Sequence, residues 1–159
     1  LYKKKVFVEP AAKISEIPKL NGVDGRKMSK SYNNAIYLSD TEKEIAKKIK
    51  GMLTDPQRAR REDPGDPDVC NLFPFHKLYS SREMQEEIIP ACRTAQIGCG
   101  DCKLKLVDSM LAGMRPIMEK RQEVVAKPKE VKEILRAGTE KAGKVANATL
   151  QEVKQVMKI

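Results

Sequence analysis

From Ser39 to the end of the chain, apolar residues recur at steps of three and four, and hardly anywhere in strict alternation. That spacing places them on one face of a helix, so about 120 of the 159 residues read as a helical domain. Ser39 with Glu42 three residues later reads as a capping box and predicts a helix through about Met52. Asp55 to Pro67, with three prolines and several charges, reads as an irregular connector. Asn71 to Tyr79 and Ser81 to about Ile97 read as two further helices, the second interrupted at Pro90. Cys102 to about Val125 reads as a long helix kinked at Pro116. The last stretch carries a row at Val131, Leu135, Ala142, Val145, Thr149, Val153 and Val156, with a turn skipped at Gly138. Such a row is expected to be a core face rather than a surface kept for a partner.

The N-terminal part differs. Val6 to Val8, closed by Pro10, predicts one short strand. Pro18 to Ser31 holds Asn21, Gly22, Asp24 and Gly25 and reads as a turn-rich, mobile loop. The fold class is therefore mainly α, with a short α/β remnant over 1–38 and a helical domain over 39–159.

No stretch of about 18 apolar residues is present, so no membrane partner is expected. Leu1 to Lys5 has neither an apolar signal-peptide core nor an initiator methionine. The chain reads as cytoplasmic and cut from something larger. Its formal charge of +9 is uneven. Residues 1–31 carry eight basic and three acidic groups, 32–118 are neutral, and 119–159 carry ten basic and six acidic groups. Two basic ends suit a polyphosphate or RNA, and suit equally well a solvated lysine-rich surface. Lys103, Lys105, Arg115, Lys120 and Arg121 are candidate RNA contacts on the same balance.

Lys27-Met28-Ser29-Lys30-Ser31, after Gly25-Arg26 and before Tyr32-Asn33-Asn34, carries the sharpest chemistry. Two lysines three apart supply ammonium groups that can close on a phosphate chain, and Ser29, Ser31 and backbone N–H groups can add hydrogen bonds. The four cysteines, Cys70, Cys92, Cys99 and Cys102, are spaced C-x21-C-x6-C-x2-C. In a reducing compartment a CxxC with two more cysteines points to metal: zinc, an iron–sulfur cluster or, failing both, unligated thiols. One pair with two outlying ligands argues mildly against zinc. The single histidine, His76, lies amid Phe73, Phe75 and Tyr79 and reads as a packing or capping residue.

The stretch Gly25 to Asn34 resembles the KMSKS signature of class I aminoacyl-tRNA synthetases, in the form found in bacterial tryptophanyl-tRNA synthetases. Thr54-Asp55-Pro56, Asp63-Pro64-Gly65 and Cys70-Asn71-Leu72-Phe73 fit the same family. The resemblance implies that 1–38 end a Rossmann catalytic domain and that 39–159 form a helical domain binding the anticodon of tRNA(Trp). It implies a tryptophan–tRNA ligase, in which tryptophan attacks the α-phosphate of Mg-ATP before transfer to tRNA, and a homodimer as the complete enzyme. Lys27 and Lys30 would stabilise the charge on the phosphates, Lys30 above all, while Met28 packs the loop and Ser29 and Ser31 orient it. A subset of the family binds a 4Fe–4S cluster through this cysteine set, which favours a cluster over zinc. The family's His-rich ATP motif and tryptophan pocket are missing here, so this chain alone should not aminoacylate. The rival reading is a non-enzymatic RNA-binding module with a structural zinc site.

Overall fold

A computed structural model describes residues 4–159. It contains five α-helices: α1 (Glu42–Gly51), α2 (Phe73–Tyr79), α3 (Arg82–Arg93), α4 (Cys99–Val125) and α5 (Pro128–Met157). A single 3-10 turn, Lys30–Tyr32, precedes them. Two compact units divide the chain: Ile14–Glu119, and Leu1–Lys13 with Lys120–Ile159. The mainly helical class expected from the apolar spacing is what forms.

The larger unit is built on one cluster. Ile45, Ile49 and Met52 from α1 and its end meet Leu72, Phe75, Leu106, Val107, Met110 and Met114 from α2 and α4. These positions step by three and four along each helix, so each contributes one buried stripe. Leu20, Val23, Met28 and Ile36 pack on the same cluster from the N-terminal loop. That loop is thereby held against the helices.

The predicted strand at Val6 to Val8 does not form. Among the described residues the only pairing of extended chain is an isolated bridge between Asn21 and Lys27, and Val8 is 92% exposed. A strand needs a neighbour to take its N–H and C=O groups, and none is at hand.

The capping box sits two residues beyond its predicted place. Asp40 closes a turn onto Tyr37, accepting from the Tyr37 N–H at 2.8 Å, which keeps Ser39 out of the helix. Thr41 then caps α1: its Oγ1 accepts from the Glu44 N–H, and Glu44 accepts from the Thr41 N–H at 2.7 Å. Helix α2 begins at Phe73 rather than Asn71, because the Asn71 amide is used elsewhere, donating to the Gly22 carbonyl at 2.9 Å. Pro90 does not interrupt α3, which runs through it to Arg93. The helix ends instead on Ala95, at φ 59°, with the Gln96 N–H donating back to the Ala91 carbonyl and the Ala95 N–H to Cys92. This is a left-handed cap of the kind glycine usually supplies. Helix α4 starts at Cys99, three residues earlier than expected, and is continuous through Pro116.

The second unit departs furthest from expectation. No residue of α5 is buried. Leu135 and Val145, at the centre of the predicted core row, are 64% and 65% exposed. The row gains cover within the unit at its two ends: half-buried Val131 borders a groove of about 180 Å³ with Val124 and Ile134, and Val153, Val156 and Met157 border one of about 190 Å³ with Val6 and Phe7. Lys4 pairs there with Glu152 at 2.7 Å.

Candidate functional site

The lysine motif is shaped by Asn34, which sequence reading did not single out. Asn34 is buried, and its Oδ1 accepts from the Ser29 N–H at 2.8 Å. Its Nδ2 donates to Asp24 Oδ1 at 2.8 Å and to the Lys27 carbonyl at 3.2 Å. One side chain therefore ties down both ends of Lys27-Met28-Ser29. The Asn34 amide also holds the Asp24 carboxyl below its usual range, with help from Arg26, which pairs with Asp24 at 2.7 Å. Gly22 is required beneath it, since a Cβ there would come within 2.3 Å of the Asn34 side chain. Gly25, at φ 78°, turns the chain between them. The loop is thus a folded element, not the free loop its glycines suggested. The signal was present in the Asn33-Asn34 pair, but a buried amide that serves a loop looks no different in sequence from an exposed one.

Ser29 caps the 3-10 turn, its Oγ accepting from the Ser31 N–H at 3.2 Å. Met28 is turned inward onto the core cluster. Lys27 and Lys30 are exposed, and among the described residues neither ammonium has an ion pair. The backbone is pinned while, among the described residues, neither ammonium is paired, so both could approach an anion. A cleft of about 480 Å³ runs beside the loop, bordered by Asn21, Asp24, Gly25, Thr54, Cys70 and Asn71.

The four cysteines, scattered over 33 positions, are brought to one region. All six pairs among Cys70, Cys92, Cys99 and Cys102 act electrostatically on one another. Cys99 and Cys102 lie three apart in the first turn of α4, where the Cys102 N–H donates to the Gly98 carbonyl, so both sulfurs share one helix face. Burial pushes the Cys102 thiol up to about 12 and raises Cys70 and Cys92 too, with the neighbouring thiols adding to each. The three raised thiols ionise together only beside a strongly positive partner. Among the described residues, no three His, Cys, Asp or Glu side chains gather so as to hold a metal ion.

His76 is fully buried beside this region, its Nδ1 2.8 Å from Ser80 Oγ and its Nε2 3.3 Å from Cys102 Sγ. Burial pulls its pKa down to about 4, so the ring is neutral. It packs, as its aromatic neighbours suggested. Arg58, from the irregular connector, reaches the same region. Its Nη2 donates to the Arg61 and Ile97 carbonyls at 2.7 and 2.8 Å, and its Nη1 lies 3.9 Å from Cys92 Sγ. Nothing in the sequence marked this arginine out from the other basic residues of the connector.

Of the candidate RNA contacts, four are engaged. Lys103 donates to the Lys50 carbonyl at the end of α1, Lys105 pairs with Glu87, Arg115 with Glu42 and Lys120 with Glu123. Arg121 is exposed.

The family model for class I tRNA synthetases of the W and Y type matches residues 2–115, which include the lysine loop and all four cysteines. The chain belongs to this synthetase family. Among curated class I synthetases, the tryptophan–tRNA ligase of Thermotoga maritima is 43% identical over 156 residues, covering 98% of this chain and 48% of the relative. The enzyme of Aquifex aeolicus is 40% identical over 156 residues, covering 98% of the chain and 40% of its own length. A crystal structure of the Campylobacter jejuni tryptophanyl-tRNA synthetase, complexed with ADP and tryptophan, superposes with a TM-score of 0.74 at 34% identity. It covers 97% of this chain and 48% of that one. This synthetase chain thus spans about half the length, or less, of the relatives it matches.

Proposed function

We propose that the chain is the portion of a tryptophan–tRNA ligase that supplies the ATP-phosphate loop and the RNA-binding helical domain. The observation that carries this reading is the lysine loop: Lys27 and Lys30 exposed on a backbone fixed by buried Asn34. Tryptophan's carboxylate oxygen attacks the α-phosphorus of Mg-ATP, the bond to the bridging oxygen breaks, and pyrophosphate leaves. Lys30, with Lys27, neutralises charge gathering on the phosphates, a contribution of about 3 kcal/mol, or roughly 10²–10³ in rate. Ser29 and Ser31 orient the turn, and Met28 anchors it to the core. Residues 1–38 complete the catalytic domain, and 39–159 dock tRNA(Trp). The enzyme works in the cytoplasm as a homodimer.

Cys70, Cys92, Cys99 and Cys102 hold a 4Fe–4S cluster on this reading. Support comes from the mutual proximity of all four thiols, each pair of which interacts electrostatically. When bound, the cluster supplies a cross-link between the start of α4, the end of α3 and the segment before α2. The residues themselves set its place: Cys99 and Cys102 by the first turn of α4, Cys92 by the last turn of α3. A non-enzymatic zinc module explains the lysine loop less well, since such a module has no use for a phosphate-closing turn.

Joining residues 1–159 to a synthetase catalytic half that contains the His-rich motif tests the assignment. The joined protein is expected to catalyse tryptophan-dependent pyrophosphate exchange, and Lys30→Ala to lower that rate by two orders of magnitude or more. Full activity in Lys30→Ala would refute the role given to the loop.

A further inference from the structure

Beside the bonds made by Asn34, one further side chain spans the lysine turn. Arg26, the residue before the first lysine, reaches back to Asp24: its Nε donates to Asp24 Oδ2 at 2.7 Å, and its Nη2 lies 2.7 Å from the same oxygen. The guanidinium also lies over the ring of Tyr32, with Cζ 4.7 Å from the centroid. Tyr32 ends the 3-10 turn that begins at Lys30. The Arg26 backbone is fixed as well, its carbonyl accepting from the Gly22 N–H at 2.7 Å beside the Asn21–Lys27 bridge. One guanidinium therefore joins the segment before Lys27 to the turn that carries Lys30. Its shape suits both contacts, since the edge binds a carboxylate while the face rests on an aromatic ring.

Asp24 is what makes this cation necessary. It is the single acid between residues 21 and 34. The loop's fold depends on it, because Oδ1 accepts from the Arg26 N–H at 3.0 Å and from the Asn34 amide at 2.8 Å. A bare carboxylate in that place would set a negative charge in the same loop as the two ammonium groups and repel any phosphate they attract. Arg26 cancels the charge at Oδ2, the oxygen that the two Oδ1 bonds leave over. The contact is open to solvent, with the Arg26 side chain 63% and Tyr32 54% exposed, so salt screens it, unlike the buried bonds of Asn34.

We propose that Arg26 is a positioning residue of the phosphate loop: held between Asp24 and Tyr32, it neutralises the carboxylate the loop is folded on and keeps Lys27 and Lys30 on one closed turn. This rests on the phosphate-binding reading of the loop given above. Arg26 touches no phosphate itself and acts through the two lysines. The repulsion it removes falls on bound nucleotide and transition state alike, so its loss shows in KM for ATP more than in kcat.

The 159-residue chain is titrated calorimetrically with inorganic tripolyphosphate at low and at high salt, and the joined synthetase is assayed for the ATP dependence of pyrophosphate exchange. Arg26→Gln uncovers the carboxylate. It is expected to weaken tripolyphosphate binding by about fivefold at low salt and by less at high salt, and to raise KM for ATP with little change in kcat. Adding Asp24→Asn to Arg26→Gln removes that carboxylate while keeping an acceptor oxygen, and is expected to recover most of the affinity. An arginine that served only to hold the fold would not be rescued by deleting a second charge. Tyr32→Leu takes away the ring under the guanidinium and is expected to weaken binding by about twofold, with Tyr32→Phe recovering it. The Tyr32 pair keeps the test open if Arg26→Gln does not fold. Lys30→Ala that weakens binding, while Arg26→Gln and Tyr32→Leu bind as the unsubstituted chain does, overturns the role of Arg26 and leaves the phosphate loop standing. Arg26→Gln that is equally weak with and without Asp24→Asn also overturns it. Lys30→Ala that binds tripolyphosphate as tightly as the unsubstituted chain overturns the loop reading and this proposal with it.

Discussion

Asn34 shows how much of a loop's fold can rest on one amide. Its carbonyl takes the Ser29 N–H and its NH₂ binds Asp24 and the Lys27 carbonyl, so both lysines are displayed from a backbone it organises. Asn34→Ala leaves the Ser29 N–H and the Asp24 carboxylate without their partner. The expected cost is about 2 kcal/mol or more in urea-induced unfolding. In the joined enzyme the same change is expected to depress pyrophosphate exchange, although Asn34 itself is not proposed to touch phosphate. Asn34→Asp restores the acceptor for Ser29 but sets a second carboxylate against Asp24, so it is expected to rescue little. At this scale Lys27, Lys30 and the cysteines stood out in the sequence as candidates, because each carries its chemistry in its own side chain. Asn34 and Arg58 were not, because an amide or a guanidinium acquires its role only from the groups it is buried against.

Among the elements, α1 and α4 make the clearest contrast. The end of α1 is local chemistry: Thr41 and Glu44 satisfy each other's N–H groups, and those bonds hold the Glu44 carboxyl below its usual range. Thr41→Ala is expected to cost about 1 kcal/mol at pH 7. A carboxyl whose folded pKa is lowered contributes stability that is full above its unfolded pKa and is lost as pH falls through the folded one. Denaturant melts at pH 7 and pH 3 are therefore expected to show the cost of Thr41→Ala shrinking in acid. Sequence reading found a cap of this type but placed it on Ser39 and Glu42, since both pairs carry the same signature. The turn closed by Asp40 chooses between them. For α4 the reading started the helix at Cys102. The helix takes in Cys99 and Gly100, so the CxxC is an i, i+3 pair on a first turn.

For the molecule as a whole, the two units use the same apolar spacing to opposite effect. In the larger unit Ile45, Ile49, Leu106, Met110 and Met114 are driven into one core. Along α5, residues of similar character at similar spacing remain open, with Leu135 and Val145 well exposed. Replacing either of these two by serine is expected to change the unfolding free energy of the 159-residue chain by no more than about 0.5 kcal/mol. A loss of several kcal/mol in denaturant melts would show instead that the row is buried.

By itself the sequence determined that the chain is helical, where most of its helices lie, and which side chains could bind phosphate or metal. Those properties reside in local spacing, capping groups and side-chain chemistry, all written within a few residues of one another. The tertiary structure alone decided that the lysine loop is a folded element, that cysteines 22 and more residues apart reach one another, and that an arginine from an irregular connector joins them. It also decided that Val6 to Val8 form no strand and that the middle of the α5 apolar row, at Leu135 and Val145, stays uncovered. Pairing, burial and charge balance are relations between distant segments, and the same local pattern satisfies them in one setting and leaves them open in another.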